Sequence, residues 1–202
     1  MKIKKAIILG AGFGKRMRPI TKKIPKPLIK INGVTLLENS IKFLNSLGVK
    51  HIIINAYHLH KEIVNYINRK NFPPTIKVVV EKGKILDTGG GILNASKKFK
   101  KQPFIVLNPD TIWRKSYKKE FKNLEKTYLQ NKKPVMLVVS KRKSFDKSFK
   151  GDFNLKNNIV SRDIENNFIF TGLQLMDRNY IDFIDKKVFS MNEVWNNLIS
   201  EN

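Results

Sequence analysis

Cysteine is missing from all 202 residues, which excludes a disulfide frame, a thiolate metal site and a cysteine nucleophile. Acidic residues are scarce: 16 Asp and Glu stand against 40 Lys and Arg, a formal net charge of +24. None of them precedes Glu38, although ten Lys or Arg do. Long apolar runs are missing as well. The run at 6–9 is too short for a signal-peptide core, and nothing approaches the roughly 20 residues of a membrane span. The expectation is a cytoplasmic protein with no membrane partner. Repeats, linkers and low-complexity blocks are absent, so a single domain over residues 1–202 is expected, enough for one sizeable core.

The excess charge is less specific than its size suggests. Only seven of the 40 basic residues are Arg, the residue that forks onto phosphates, and much of the Lys reads as solvated surface. No aromatic-rich binding strand or recognition-helix motif accompanies it, which argues against a nucleic-acid partner. Small phosphorylated anions fit better.

Strand-like and helix-like segments alternate. Lys5–Leu9, 51–55, 76–80, Phe104–Leu107 and 135–139 are short apolar runs of the kind buried in a parallel sheet. Between them, Thr35-Leu-Leu-Glu38 fits a capping box before an apolar helical face that ends at Gly48. Helices are also expected over 59–69, 91–98 and 117–131. Beyond Ser140 the rhythm changes: alternation at 152–155, 159–164 and Phe168–Met176 predicts a smaller antiparallel portion, with helical pieces at 180–184 and 191–199. The fold class is α/β, a three-layer α/β/α Rossmann-like arrangement with a mostly parallel sheet. Its ligand belongs beyond the carboxyl ends of the strands.

The stretch ILGAGFGKRMRPITKKIPKPL, residues 8–28, leaves the first of those strand ends. A Walker A loop needs four residues between its glycines and a Lys-Ser/Thr pair; Gly10 to Gly14 is one residue short, and Lys15 precedes Arg16. A dinucleotide fingerprint needs a third glycine where Lys15 stands, and an acidic residue about 20 positions on that is not there. What remains is a loop whose glycines let backbone N–H groups approach a ligand, followed by Lys15, Arg16 and Arg18, which can surround one polyphosphate. Pro25 and Pro27 stiffen the backbone around Lys26.

Gly10-Ala-Gly-Phe-Gly-Lys-Arg-Met-Arg-Pro19, Thr21 and Pro25-Lys-Pro-Leu28 together resemble the nucleotide-binding signature of the sugar-1-phosphate nucleotidyltransferases. Asp87-Thr-Gly-Gly-Gly-Ile92, Val106-Leu-Asn-Pro-Asp110, Gly151-Asp-Phe153 and Phe170-Thr-Gly-Leu-Gln174 extend the resemblance along the chain. Within the family, LDTGGGI and GDF are most similar to bacterial N-acetylmuramate-1-phosphate uridylyltransferases and to short mannose-1-phosphate guanylyltransferase-like proteins.

The resemblance implies transfer of a nucleoside monophosphate, UMP by the nearest subgroup, from a nucleoside triphosphate to a sugar 1-phosphate. Residues 1–140 would bind the nucleotide and 141–202 the sugar. Backbone at Leu9, Gly10, Ala11 and Gly12 would cradle base and ribose, with Gly14 also binding the nucleotide, Lys15 and Arg16 the β and γ phosphates, and Lys26 the α-phosphate. Thr88, Gly89 and Gly90 would form a second close-approach turn that reads the base edge, and Asp110 would ligate Mg2+. Arg16, Lys26 and Asp110 are the catalytic candidates; Asn108, Asp152 and Gly172 are the sugar-phosphate candidates. The Glu-Lys-Pro segment that holds the sugar phosphate in many relatives is absent, which leaves Arg162 or a nearby Lys as the substitute. Asn55 is a sugar-contact candidate, and His58 and His60 read as a loop beside the crevice. Relatives of this subgroup continue into a Trp-x-Asp-x-Gly strand whose Asp completes the magnesium site; this sequence ends at Asn202, so the expectation is either a C-terminal truncation or another carboxylate in that role. A monomer or homodimer is expected. A catalytically weak nucleotide-sugar binding module stays open beside the enzyme.

Overall fold

Ile7 and Ile8 point to opposite sides of the same strand, and that alternation sets the layers. In this computed structural model, which describes residues 3–201, the chain runs through β1 (Lys5–Leu9), β2 (Lys30–Ile31), β3 (Val34–Thr35), α1 (Leu36–Ser46), β4 (His51–Ala56), α2 (His60–Asn68) and β5 (Thr75–Val80). It continues through α3 (Asp87–Ser96), β6 (Phe104–Leu107), α4 (Lys118–Asn131), β7 (Val135–Ser140), β8 (Asn154–Lys156), β9 (Ile159–Ser161), β10 (Phe168–Met176) and α5 (Met191–Ser200). The main sheet has the order β5-β4-β1-β6-β10-β7. Its first four strands are parallel, and β10 runs antiparallel to both neighbours.

Ile8, Ile52, Ile54, Ile105 and Leu107 pack on one face with Leu37, Ile41 and Leu44 of α1, Ile63 of α2, and Phe121 and Tyr128 of α4. Ile7, Ile53, Phe104 and Val106 pack on the other with Ile92 and Ala95 of α3, and Met191 and Val194 of α5. The helices therefore cover both faces of a mostly parallel sheet, as the α/β alternation predicts.

α1 starts where the capping box does. The Thr35 hydroxyl accepts the Glu38 N–H at 3.0 Å, while the Glu38 carboxylate accepts the Tyr66 hydroxyl at 2.6 Å and pairs with Lys42 and Lys70. The Lys42 and Tyr66 hydrogen bonds hold the Glu38 pKa down to about 2. Burial and the same carboxylate push Tyr66 up to about 12.

Three expectations need correction. Phe168–Met176 is antiparallel as expected and its first residue bridges Phe153, but the strand is not confined to the small portion: it inserts between β6 and β7 in the main sheet. Its buried half, Leu173 to Met176, is that of a central strand, and only β8 and β9 remain as the small hairpin. The helix expected over 91–98 begins at Asp87. Glycine is a poor helix former, so Gly89 to Gly91 conceal a start that tertiary packing supplies. The piece expected at 180–184 is a 3-10 turn over Arg178–Tyr180.

Candidate active site

The opening loop is anchored at both ends by different means. At its start the Gly10 N–H donates to the Asn55 carbonyl at 3.0 Å and to Asn55 Oδ1 at 2.8 Å, an approach so close that a Cβ on Gly10 would lie 2.8 Å from that carbonyl. Further on, Gly14 adopts φ of +61°, where the Thr21 hydroxyl donates to its carbonyl at 2.9 Å. A Cβ on Gly12, between them, would meet nothing within 4 Å, so its backbone faces open space. Phe13 packs against Tyr57 and His58, and His58 Nε2 lies 2.7 Å from the Thr21 carbonyl. The histidine braces the loop, and no group of three or more metal-ligating side chains occurs among the described residues.

Lys26 sits in a 3-10 turn between Pro25 and Pro27. Its ammonium donates to Asp110 Oδ2 at 2.5 Å across 84 residues of sequence. Asp110 follows the buried end of β6, and Asn108 before it is fixed by its N–H to the Gly172 carbonyl at 2.8 Å. A register shift in β10 between Phe170 and Leu173 brings Gly172, at φ of +86°, over Asn108. Any side chain there would collide with Asn108 at 2.7 Å.

These parts face one cleft of about 1510 Å3, larger than the roughly 300–1,000 Å3 of ordinary single-ligand pockets. It gathers Leu9, Gly10, Ala11, Gly12, Gly14, Lys15, Arg16, Lys26, Thr88, Asn108, Asp110, Asp152 and Gly172. Lys143, Phe149 and Lys150, on the segment before β8, line the same space, and no motif marks them, because a lysine in so basic a chain carries no local signal. Asp152 Oδ2 accepts the Phe170 N–H at 2.8 Å, tying this wall to β10.

Of the expected base-edge turn, Thr88 lines this cleft, whereas Gly89 and Gly90 turn their N–H groups toward residues 187–189. Both N–H groups donate to the Phe189 carbonyl, at 3.0 and 3.1 Å, and a Cβ on Gly90 would collide with the Lys187 carbonyl. Their lack of side chains serves the docking of residues 187–189 on α3. Arg162 is likewise committed elsewhere: it stacks on Phe153 and Trp195, and donates to Asn192, Asn196 and the Asp152 carbonyl. Burial pushes its pKa down, against the opposing pull of Asp152. Asn55 is buried, with both ends of its amide engaged, and is not free for a sugar.

Asp110 faces the cation of Lys26, and no cluster of three or more ligating side chains surrounds it among the described residues. That donor set fits a magnesium ion carried in by phosphate oxygens, since Mg2+ takes one or two carboxylates and keeps waters, rather than an ion caged by protein alone.

A glycine-rich, cationic loop and a strand-end aspartate meet at the carboxyl edge of a mostly parallel sheet, where α/β proteins of this class place their ligand crevice. The sequence profile described as nucleotidyl transferase matches residues 5–145, and the chain belongs to that family. N-acetylmuramate α-1-phosphate uridylyltransferase of Caulobacter vibrioides is 32% identical over 111 residues, covering 54% of this chain and 46% of that protein. D-glycero-α-D-manno-heptose 1-phosphate guanylyltransferase of Aneurinibacillus thermoaerophilus is 28% identical over 142 residues, 70% of this chain and 60% of that protein. The chain thus spans about half the length of the curated relatives it matches. Among solved structures, HddC of Yersinia pseudotuberculosis complexed with GMP-PN superposes with a TM-score of 0.76 at 24% identity, over 94% of this chain and 83% of that one. The inositol-1-phosphate CTP transferase of T. maritima superposes at 0.78 with 16% identity, over 100% and 83%. These two likenesses establish the fold.

Proposed function

We propose that the chain transfers a nucleoside monophosphate from a nucleoside triphosphate to a sugar 1-phosphate, releasing pyrophosphate. The observation that carries this reading is the Lys26–Asp110 pair inside a cleft that gathers two further sets of cations, Lys15 and Arg16 from the opening loop and Lys143 and Lys150 from the segment before β8. One triphosphate would not need both.

Backbone at Leu9, Gly10, Ala11, Gly12 and Gly14 holds the nucleoside, with Thr88 beside it. Lys15 and Arg16 neutralise the β and γ phosphates. Lys143 and Lys150, from the segment before β8, are suited to the acceptor's phosphate in place of Arg162, with Asn108, Asp152 and Gly172 shaping the sugar's side. An oxygen of the sugar phosphate attacks the α-phosphorus, the bond to the bridging oxygen breaks, and its electron pair leaves with pyrophosphate. Lys26 turns from Asp110 to the α-phosphate, where charge reorganises, and releases a carboxylate oxygen as it does so. Mg2+ held by Asp110 and the phosphates would supply charge neutralisation on the triphosphate. Positioning two anions in line accounts for most of the work.

For the finer identity, the LDTGGGI and GDF segments favour UMP transfer to N-acetylmuramate 1-phosphate in the cytoplasm. Guanylyl transfer to a heptose or mannose 1-phosphate is the second reading, favoured by the longer match to the heptose guanylyltransferase. Pyrophosphate release measured with four nucleoside triphosphates against a panel of sugar 1-phosphates tests both. No release with any pair, alongside measurable triphosphate binding, would reduce the protein to a binding module.

A further inference from the structure

Glu81 belongs to no motif, yet it is 4% exposed and both its carboxylate oxygens are occupied. Oε1 accepts Asn55 Nδ2 at 2.8 Å, and Oε2 accepts the Leu86 N–H at 2.8 Å. Asn55, 2% exposed, spends its other end on the Gly10 N–H at 2.8 Å. The chain of bonds therefore runs from the first residue of the opening loop, through a buried amide and a buried carboxylate, to the residue before Asp87 and Thr88. Both ends of that chain adjoin cleft walls. Gly91 lies on the pair so closely that a Cβ would stand 2.5 Å from Asn55 Nδ2 and 3.0 Å from Glu81 Oε1. Two glycine motifs far apart in sequence close over one amide–carboxylate pair.

We infer that Glu81 is a positioning residue for the nucleotide: through Asn55 it fixes the Gly10 end of the opening loop, and through Leu86 it fixes the Asp87–Thr88 turn. This role rests on the nucleotide reading of the cleft. An ionised carboxylate is acceptor-only, so it dictates which way the Asn55 amide faces and hence that Oδ1 meets the Gly10 N–H. A glutamine at this position cannot do the same. Its one oxygen satisfies either Asn55 Nδ2 or the Leu86 N–H, and its NH2 then faces the other donor.

The complementarity can be reversed without changing charge. In Asn55→Asp with Glu81→Gln, Asp Oδ1 accepts the Gly10 N–H, Asp Oδ2 accepts Gln Nε2, and Gln Oε1 accepts the Leu86 N–H. Each single change breaks the chain, the first by setting two carboxylates together. Titration calorimetry of UTP and GTP, at a temperature where circular dichroism shows each variant folded, reads the effect directly. The expected result is that each single variant binds triphosphate about tenfold more weakly or worse, with binding of a sugar 1-phosphate unchanged, and that the double variant recovers most of the affinity. Single variants that lose melting temperature but bind triphosphate like the parent would overturn the inference and leave Glu81 a packing residue. A double variant no better than the singles would overturn it too. A parent chain that binds no triphosphate overturns the nucleotide reading itself, and the positioning role with it.

Discussion

Lys26→Ala separates two effects that the ion pair with Asp110 combines. The pair is partly exposed, with side chains 24% and 38% accessible, so its removal costs at most about 1 kcal/mol of stability, a melting shift of about 2–4 °C for a chain of this size. Catalysis should suffer far more. Loss of one preorganised positive group from a reacting centre lowers kcat by about 100- to 1000-fold, and Lys26→Arg should not restore it, because a planar fork does not replace a compact ammonium. Metal binding should move the other way. Lys26 occupies the Asp110 oxygen in the free protein, and freeing it removes a competitor worth at most about 1 kcal/mol, so Mg2+ affinity without nucleotide rises by up to about fivefold. Stopped-flow pyrophosphate release, calorimetric Mg2+ titration and a thermal melt give the three numbers. A kcat within about threefold of the parent together with unchanged Mg2+ affinity would refute the reasoning, since Lys26 would then touch neither the phosphate nor the metal's ligand.

Gly90→Ala should destabilise the fold by about 1–3 kcal/mol in urea melts, because its methyl would run into the Lys187 carbonyl; unchanged stability would mean that the 187–189 segment yields freely. Glu38 has its pKa lowered from 4.5 to about 2, so its contribution is present above pH 4.5 and lost as pH falls toward 2. Tyr66, raised from 10.0 to about 12, contributes below pH 10 and loses that as pH rises through 12. Glu38→Gln should remove the Glu38 part of the acid limb and only weaken the alkaline one, since burial is the larger cause of the Tyr66 shift; an acid limb unchanged from the parent's would contradict the network. Arg162→Ala should loosen the β8–β9 hairpin from α5 and shift Trp195 fluorescence by removing the cation stacked 5.7 Å from its ring; an unchanged spectrum would show that Phe153, Phe170 and the hydrogen bond to Gln174 hold the tryptophan without the arginine.

The parallel half of the sheet was legible because its strands are buried on both faces and announce themselves as KAIIL, HIIIN and FIVL. The insertion of β10 was not, since pairing partners are set by tertiary packing and nothing in residues 168–176 names β6. The opening loop could be read as an anion loop from Gly10, Gly12, Gly14 and the cations after them. Which glycine does what could not: Gly12 is open to the cleft, whereas Gly10 and Gly91 make room for Asn55 and Glu81. Glu81 itself was hidden because a carboxylate after an apolar strand is usually a turn residue, and its two partners come from elements 26 and 5 positions away.

The place of β10 between β6 and β7 also governs the order in which the sheet can assemble on the ribosome. When Leu107 has emerged, β6 can pair with β1, but its other edge has no partner until Met176 follows, 69 residues later. At synthesis rates of about 5–20 residues per second that edge stays open for about 3–14 s, while β7 waits, already made, with no strand to join. An apolar strand with an unpaired edge is a template for another chain. The nascent protein's exposure to misassociation is therefore concentrated in the interval between its fourth parallel strand and the one that closes over it.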